Sequence, residues 1–397
     1  MKVILASAGG GTADTLTAQC ARALAEAQCI IGASRLLDAL SVSARKIAAT
    51  RPAEVCQAVQ DAQKYADACV VLYSGDTGFY SGAMPLLPLL RGKGFDPQVL
   101  PGLSSVQLLA ARLGRTWQDW KLVSAHGMEC DAVAQVCGGQ PVFFLTGGKL
   151  GPAQLCTQLC RAGLGELHVW VGENLSYPDE KVTQGTAKEC AEREFAPLSV
   201  LLAEPAPRSE KRTPGIEDEA FVRGKVPMTK QEVRAAALAK LAVRPNDVCW
   251  DVGAGTGSVS VELALHAKKV YAVECEEDAC DLIEQNRKAF GAWNLELIRG
   301  RAPQALEQLP APDAVFIGGT KGAMEQVVRT ALERNPAARI CISAIALESL
   351  SAAVAALTVC GVTAQVTQIA VSRTKQAGSL HLLTANNPIF LIAGNGV

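Results

Sequence analysis

The chain has 397 residues, 49% hydrophobic and 19% charged, with a formal net charge of −1. That length exceeds one ordinary core and implies two domains, and the composition excludes a disordered chain. With 17 basic against 19 acidic side chains over residues 1–204, and 21 against 20 beyond, neither half has the basic excess of a nucleic-acid binder.

In chain order, apolar runs predict strands at Lys2–Ala6, Cys29–Ile31, Ala68–Tyr73, Pro97–Leu100, Leu122–Ser124, Val142–Leu145, Leu167–Val171 and Ser199–Leu202. Amphipathic stretches such as Leu16–Ala27 and Ala153–Ala162 lie between them, and this alternation argues for layered α/β architecture. The stretch Glu204–Gly215 holds three prolines among alternating charges and reads as a linker or exposed loop. The expected division is therefore a first domain over 1–204, a linker over 205–214 and a second domain over 215–397. Beyond the linker, strands are predicted at Val248–Val252, Val270–Glu274, Leu295–Ile298, Ala314–Ile317, Arg339–Ala344, Thr363–Val371, His381–Thr384 and Ile389–Ile392.

The opening Met1–Ser7 reads as a first strand rather than a leader. No stretch approaches the roughly 20 apolar residues of a membrane span, so a cytoplasmic location is expected. The 14 cysteines include no C-x-x-C pair and the four histidines are scattered. No metal site is expected, and the thiols are read as small hydrophobes.

Asp251-Val-Gly-Ala-Gly-Thr-Gly257 follows a predicted buried strand and opens a predicted helix, Ser258–His266. Its glycines let the chain turn sharply and bring bare backbone against a ligand. The next strand ends about 20 residues on in Glu274, placed to accept hydrogen bonds from a ribose. Gly-x-Gly-x-Gly preceded by an acid is the pattern of Rossmann-like S-adenosylmethionine methyltransferases.

Further stretches narrow the likeness: Gly215–Phe221, Val226-Pro-Met-Thr-Lys-Gln-Glu-Val-Arg234, Phe316-Ile-Gly-Gly319, Ala344–Glu348, Val371-Ser-Arg373 and Asn387-Pro-Ile-Phe390. Together they resemble the decarboxylating methyltransferases of cobalamin biosynthesis that act at C15 of the precorrin ring. The resemblance implies that Thr229, Gly253, Ala254, Gly255, Thr256, Gly257, Glu274 and the backbone of Ala302 hold the methyl donor. Arg301 stands where that family usually has Asp. A polycarboxylate substrate calls for Arg and Lys around it. Lys230, Arg234 and Arg373 are the candidates, with Glu232 as an orienting group.

Upstream, Ser74-Gly-Asp-Thr-Gly-Phe-Tyr-Ser-Gly82 also follows an apolar strand, but no ribose-binding acid comes after it. With Pro101-Gly-Leu-Ser-Ser-Val-Gln107, Leu145-Thr-Gly-Gly-Lys149 and Val171–Glu180 it resembles the tetrapyrrole methylase superfamily, most closely the corrin C5-methyltransferases. That resemblance implies a two-lobed α/β fold with a bent S-adenosylmethionine between the lobes. The contacts it implies are Gly9, Gly11, Gly75, Asp76, Gly78, Ser104, Ser105 and Thr146, with Lys149 toward substrate. The first loop departs from the family pattern: Ser7 replaces a glycine, Gly10 a proline and Thr12 an acid.

Two turn designs imply two donor sites and two methyl transfers on one chain. The partners expected are a precorrin or cobalt-precorrin substrate and a homo-oligomer, dimer or tetramer, without nucleic acid or membrane. His126 is open between an acid–base group and a loop-bonded side chain. Two other functions stand as alternatives: a methyltransferase acting on RNA or protein, and a non-catalytic S-adenosylmethionine-binding protein.

Overall fold

The fold is described from a computed structural model covering residues 1–207 and 214–396. The predicted linker lies largely outside the described residues. Two compact units result, the first built from Met1–Val136, Gln140–Arg161 and Gly165–Pro205, the second essentially from Ala206 onward.

The first unit has two lobes. Strands β1 (Lys2–Ser7), β2 (Cys29–Gly32), β3 (Arg45–Ala48), β4 (Ala68–Tyr73) and β5 (Gln98–Leu100) form a parallel sheet in the order β3-β2-β4-β1-β5. Because successive side chains point to opposite faces, continuous apolar strands cover both sides of this sheet. Val3, Leu5, Ile31 and Val71 pack on helices Pro52–Ala62 and Ala83–Gly92. Ile4, Ala6, Ile30 and Val70 pack on the opposite side, against Cys20, Leu24 and Leu36.

The second lobe is a mixed sheet, β6-β7-β10-β8-β9, made of β6 (Lys121–Ser124), β7 (Val142–Leu145), β8 (His168–Glu173), β9 (Lys181–Thr186) and β10 (Ser199–Ala203). Strands β6 and β7 are parallel, so the residues that follow them emerge at the same sheet edge.

The second unit carries β11 (Val248–Val252), β12 (Lys269–Glu274), β13 (Leu295–Arg299), β14 (Ala314–Ile317), β15 (Arg339–Ala344) and β16 (Gln365–Ile369). A hairpin of β17 (Ser372–Ala377) and β18 (Leu380–Ala385) precedes β19 (Ile389–Asn395). The main sheet runs β13-β12-β11-β14-β15-β19-β16, with only β19 antiparallel to its neighbours. Order therefore reverses between β11 and β14, the switch point where open α/β sheets bind ligands.

Four strands differ from the sequence expectation. The short β3 and β9, and β17 of the hairpin, are rich in charged or polar residues and escaped the apolar criterion. The predicted strand Thr363–Val371 is shorter, Gln365–Ile369, and the chain leaves the main sheet to form the hairpin from Ser372.

One packing detail in the first unit involves Ser7, at the end of β1 where the first loop begins. The Ser7 hydroxyl donates to the Gly75 carbonyl and accepts from the Gly9 amide at 3.0 Å. It fills the space beside Gly102, where an added Cβ would stand 1.8 Å from Ser7 Oγ. Gly102→Ala is expected to lower stability in chemical unfolding by about 1–3 kcal/mol, as overpacking does. Adding Ser7→Gly in the same chain should recover part of that loss.

Candidate functional site

In the first unit the loops after β1 and β4 are joined by backbone, and the Asp76 side chain ties them to the loop after β5. Gly75 N donates to Gly9 O at 2.8 Å, and Ala8 N to Tyr73 O at 2.7 Å. Asp76 accepts from Gly78 N at 2.8 Å with one carboxylate oxygen and from Gly102 N at 3.1 Å with the other. Ser104 is buried, its amide donates to Gln107 Oε1 at 2.7 Å, and Ser105 starts the following helix. Gly9, Gly75, Asp76 and Gly78 are thus tied together and bonded on to the β5 loop at Gly102, two residues before Ser104. Gly11 faces the Tyr177 phenol, which an added Cβ would meet at 2.1 Å. Thr146 belongs to the other lobe, and its hydroxyl donates to the Ser199 carbonyl at 2.6 Å. The Ser74–Gly82 loop reaches that lobe through Tyr80 Oη, which donates to Leu122 O at 3.2 Å.

In the second unit the turn after β11 lies at the switch point. Gly253, Gly255 and Gly257 have φ of +73°, +55° and +75°. Gly253 also permits a close approach, since a Cβ there would lie 2.3 Å from the Gly319 carbonyl at the end of β14. Glu274 is buried and its carboxylate is held by three backbone amides: Gly255 N at 2.9 Å, Cys275 N at 2.7 Å and Glu276 N at 3.0 Å. Beneath the turn, burial pushes the Asp251 carboxyl up to about 7 against the opposing Ser260 hydroxyl bond.

A cavity of about 1100 Å³ opens above these turns. Thr229, Lys230, Gly253, Ala254, Gly255, Thr256, Glu274 and Ala302 line it. Gly257 packs against Ile283 instead. Thr256 Oγ1 is buried without a hydrogen-bond partner among the described residues, a donor and acceptor left for a ligand. The donor set suits S-adenosylmethionine: bare backbone at the turn, a backbone-held carboxylate for the ribose and a free hydroxyl. The sequence departure at Arg301 has a local role, because its guanidinium donates to Lys321 O at 3.1 Å while Lys321 pairs with Glu276.

The structure corrects the expectation for Arg234. Its side chain is fully buried and bonds Asp218 and Glu262, each at 2.8 Å, as well as the carbonyls of Thr229 and Ile216. Its guanidinium also lies 4.7 Å over the Phe221 ring. Four of its five N–H donors are engaged inside the unit and the side chain has no exposed surface, so it is not placed to meet a substrate carboxylate. Arg373 and Glu232 do not line the cavity either. They form a bidentate pair at 3.1 and 2.7 Å, with Arg373 also 3.1 Å from Asp218. Arg373 holds the Glu232 carboxyl below the usual range. Of the four residues expected to meet substrate, only Lys230 lines the cavity. The sequence reading passed over Lys225, Asn386 and Asn387, which do line it. Asn387 opens one of the stretches that carry the resemblance and Lys225 and Asn386 adjoin such stretches, which was the available signal.

Fold and site together define the class, an S-adenosylmethionine-dependent methyltransferase with the strand order described above. Comparison with known proteins narrows it. Residues 219–394 match the family model of the precorrin methyltransferase domain, and residues 2–191 match that of the tetrapyrrole (corrin/porphyrin) methylases. A probable cobalt-precorrin-6B C(15)-methyltransferase (decarboxylating) of Pyrobaculum calidifontis is 45% identical over 45% of this chain and 95% of its own. A precorrin-6Y C(5,15)-methyltransferase [decarboxylating] of Sinorhizobium is 35% identical over 66% of this chain and 65% of its own. The crystal structure of precorrin-6Y C5,15-methyltransferase from Geobacter metallireducens has 35% identity and a TM-score of 0.44, over 46% of this chain and 96% of that one. The chain belongs to the decarboxylating precorrin C15-methyltransferase family and carries a tetrapyrrole methylase domain ahead of that part.

Two substitutions separate fold from binding. Arg234→Met is expected to cost the second unit about 3–5 kcal/mol in denaturant unfolding, because Asp218 and Glu262 are left buried and unpaired. A substrate-binding arginine would leave stability nearly unchanged. Glu274→Gln is expected to weaken S-adenosylmethionine binding about ten- to a hundredfold by calorimetry, the worth of a charge-assisted hydrogen bond.

Proposed function

We propose that this chain is a bifunctional methyltransferase of corrin ring biosynthesis acting on precorrin-6Y or its cobalt form. In this reading residues 1–204 methylate C5, and residues 215–397 methylate C15 and remove the C12 acetate carboxyl as carbon dioxide. Each half holds its own S-adenosylmethionine, which supplies a methyl group from its sulfonium when bound.

The observation that carries the reading is the size and lining of the second unit's cavity. At about 1100 Å³ it exceeds the roughly 300–1000 Å³ of a site for one drug-sized ligand, which supports room for donor and macrocycle together. Beyond the turn that suits the donor, the wall includes the segment Lys225–Lys230, Arg301, Lys321, Asn386 and Asn387, with Glu276, Glu277 and Asp278 also on it. Lys225 and Lys230 are exposed or half-buried ammonium groups suited to ring carboxylates. Gly319 has nothing within 4 Å of where a Cβ would project, which leaves the end of β14 open to a bulky ring.

Methyl transfer from a sulfonium is an in-line displacement whose barrier falls mainly through positioning. The protein's part at C15 is to hold the nucleophilic carbon against the methyl group and keep water out. The ring cation formed by methylation draws electrons from the acetate C–C bond, so carbon dioxide leaves without a base. The exposed apolar residues Leu380, Leu382 and Leu383 on the β17–β18 hairpin support assembly of the chain into a homo-oligomer.

The full-length protein, given precorrin-6Y and S-adenosylmethionine, should yield a product that has gained two methyl groups and lost one carbon dioxide by mass spectrometry. Glu274→Ala should leave a product with one methyl and its acetate intact. Equilibrium dialysis should find two donor molecules per chain. One donor per chain, with no gain at C5, would overturn the two-site reading.

A further inference from the structure

Resting on that reading, the two methylations differ in what must leave the ring. At C15 the departing carbon dioxide returns an electron pair to the cation. At C5, a bridging carbon that carries hydrogen, no carboxylate is placed to leave. The S–CH₃ bond breaks as the C–CH₃ bond forms, the sulfonium becomes a neutral thioether, and the cationic ring recovers neutrality only by losing a proton. The first unit therefore needs a proton acceptor that the second does not.

Most polar side chains at the strand ends of the first unit are already engaged. The Ser7 hydroxyl is tied to Gly75 O, the Thr146 hydroxyl to Ser199 O and the Tyr80 phenol to Leu122 O. Both Asp76 oxygens accept backbone amides. His126 differs. It lies two residues beyond β6, at the same sheet edge as Thr146 beyond β7. Its Nδ1 is 3.3 Å from the Thr146 carbonyl, an acceptor only, so Nδ1 carries the hydrogen and Nε2 the free lone pair. The ring lies directly over Gly147, where a Cβ would meet Nδ1 at 1.9 Å. Gly147 also has φ of +153°, a conformation that favours glycine, so backbone and imidazole are fitted to each other. His126 as a whole is exposed, and Nε2 has no hydrogen-bond partner among the described residues.

We propose that His126, its Nδ1–H held by the Thr146 carbonyl over Gly147, uses Nε2 to take the proton displaced from the ring carbon that the amino-terminal half methylates. The imidazolium formed then gives its proton to solvent, with which this exposed side chain is in contact.

The test uses the full-length chain, precorrin-6Y and S-adenosylmethionine, with the two methylations read separately by mass spectrometry. His126→Ala should slow C5 methylation by about 10²–10⁴-fold, the usual worth of a positioned base. C15 methylation, carbon dioxide release and the number of donors bound should not change. Imidazole added to the buffer should restore part of the C5 rate, which a purely structural role would not allow. In the wild-type protein, ¹⁵N resonances of His126 should show the Nδ1-protonated tautomer. Undiminished C5 methylation in His126→Ala, a loss that imidazole does not relieve, or the opposite tautomer would each overturn the proposal. If the wild-type chain transfers no methyl to C5 at all, the fault lies in the functional reading beneath it.

Discussion

The guanidinium of Arg234 sits between Asp218 and Glu262 with no access to solvent, and the front wall of the second unit's cavity follows from that placement. A buried ion pair is costly to desolvate and is stable only when its remaining donors and acceptors are matched. Here they are matched by segments far apart in sequence. Arg234 bonds the carbonyls of Thr229 and Ile216, while Glu262 also takes the amides of Gly215 and Ile216 at 2.8 and 3.1 Å. Asp218 takes the Gln231 amide at 2.9 Å. The chain between these points has little freedom, and it is the stretch that carries Lys225 and Lys230 to the cavity. A cation withdrawn from substrate contact thus fixes the segment that brings these two lysines to a wall which Arg301 and Lys321 also line.

The same economy of charge distinguishes the two halves. In the second unit the cavity wall carries ammonium groups, amides and the carboxylates Glu276, Glu277 and Asp278, and a reaction whose leaving group is carbon dioxide needs none of them as a base. In the first unit an imidazole is held in one tautomer by a main-chain carbonyl. The difference follows from the substrate, which has an acetate placed to lose carbon dioxide after one methylation and none after the other. The histidine thus has a chemical reason to stand in one half alone.

Much of this was legible in the sequence, and the reasons are local. The predicted strand Val248–Val252, its glycine turn and the helix Ser258–His266 agree with the structure because buried parallel strands are continuous apolar runs and the turn needs glycine. The strands β3 and β9 were hidden because they are short and hold few apolar residues among charged and polar ones. Arg234 was misread for a different reason. A cation near a ligand-binding motif looks the same in sequence whether it faces a cavity or a buried carboxylate, and the partners Asp218 and Glu262 lie 16 and 28 residues away. Tertiary packing alone decides between those roles. His126 could be named but not assigned, since its tautomer depends on a carbonyl 20 residues downstream.

The two units also meet one physical problem in the same way on unrelated scaffolds. A glycine-rich turn can bring bare backbone to a ligand, but its flexibility must be removed before the ligand arrives, or binding bears the ordering cost. In each unit a carboxylate does this by accepting backbone amides. Asp76 joins the β4 loop to the β5 loop through Gly78 and Gly102, and Glu274 joins the end of β12 to the β11 turn through Gly255. A carboxylate has about four acceptor positions, so two or three amide bonds leave capacity for a ligand hydroxyl. The acid can therefore brace its turn and still keep lone pairs for a ligand. Removing its charge would loosen the turn as well as delete one hydrogen bond. By this argument the turn glycines are useful only because an acid nearby holds them still.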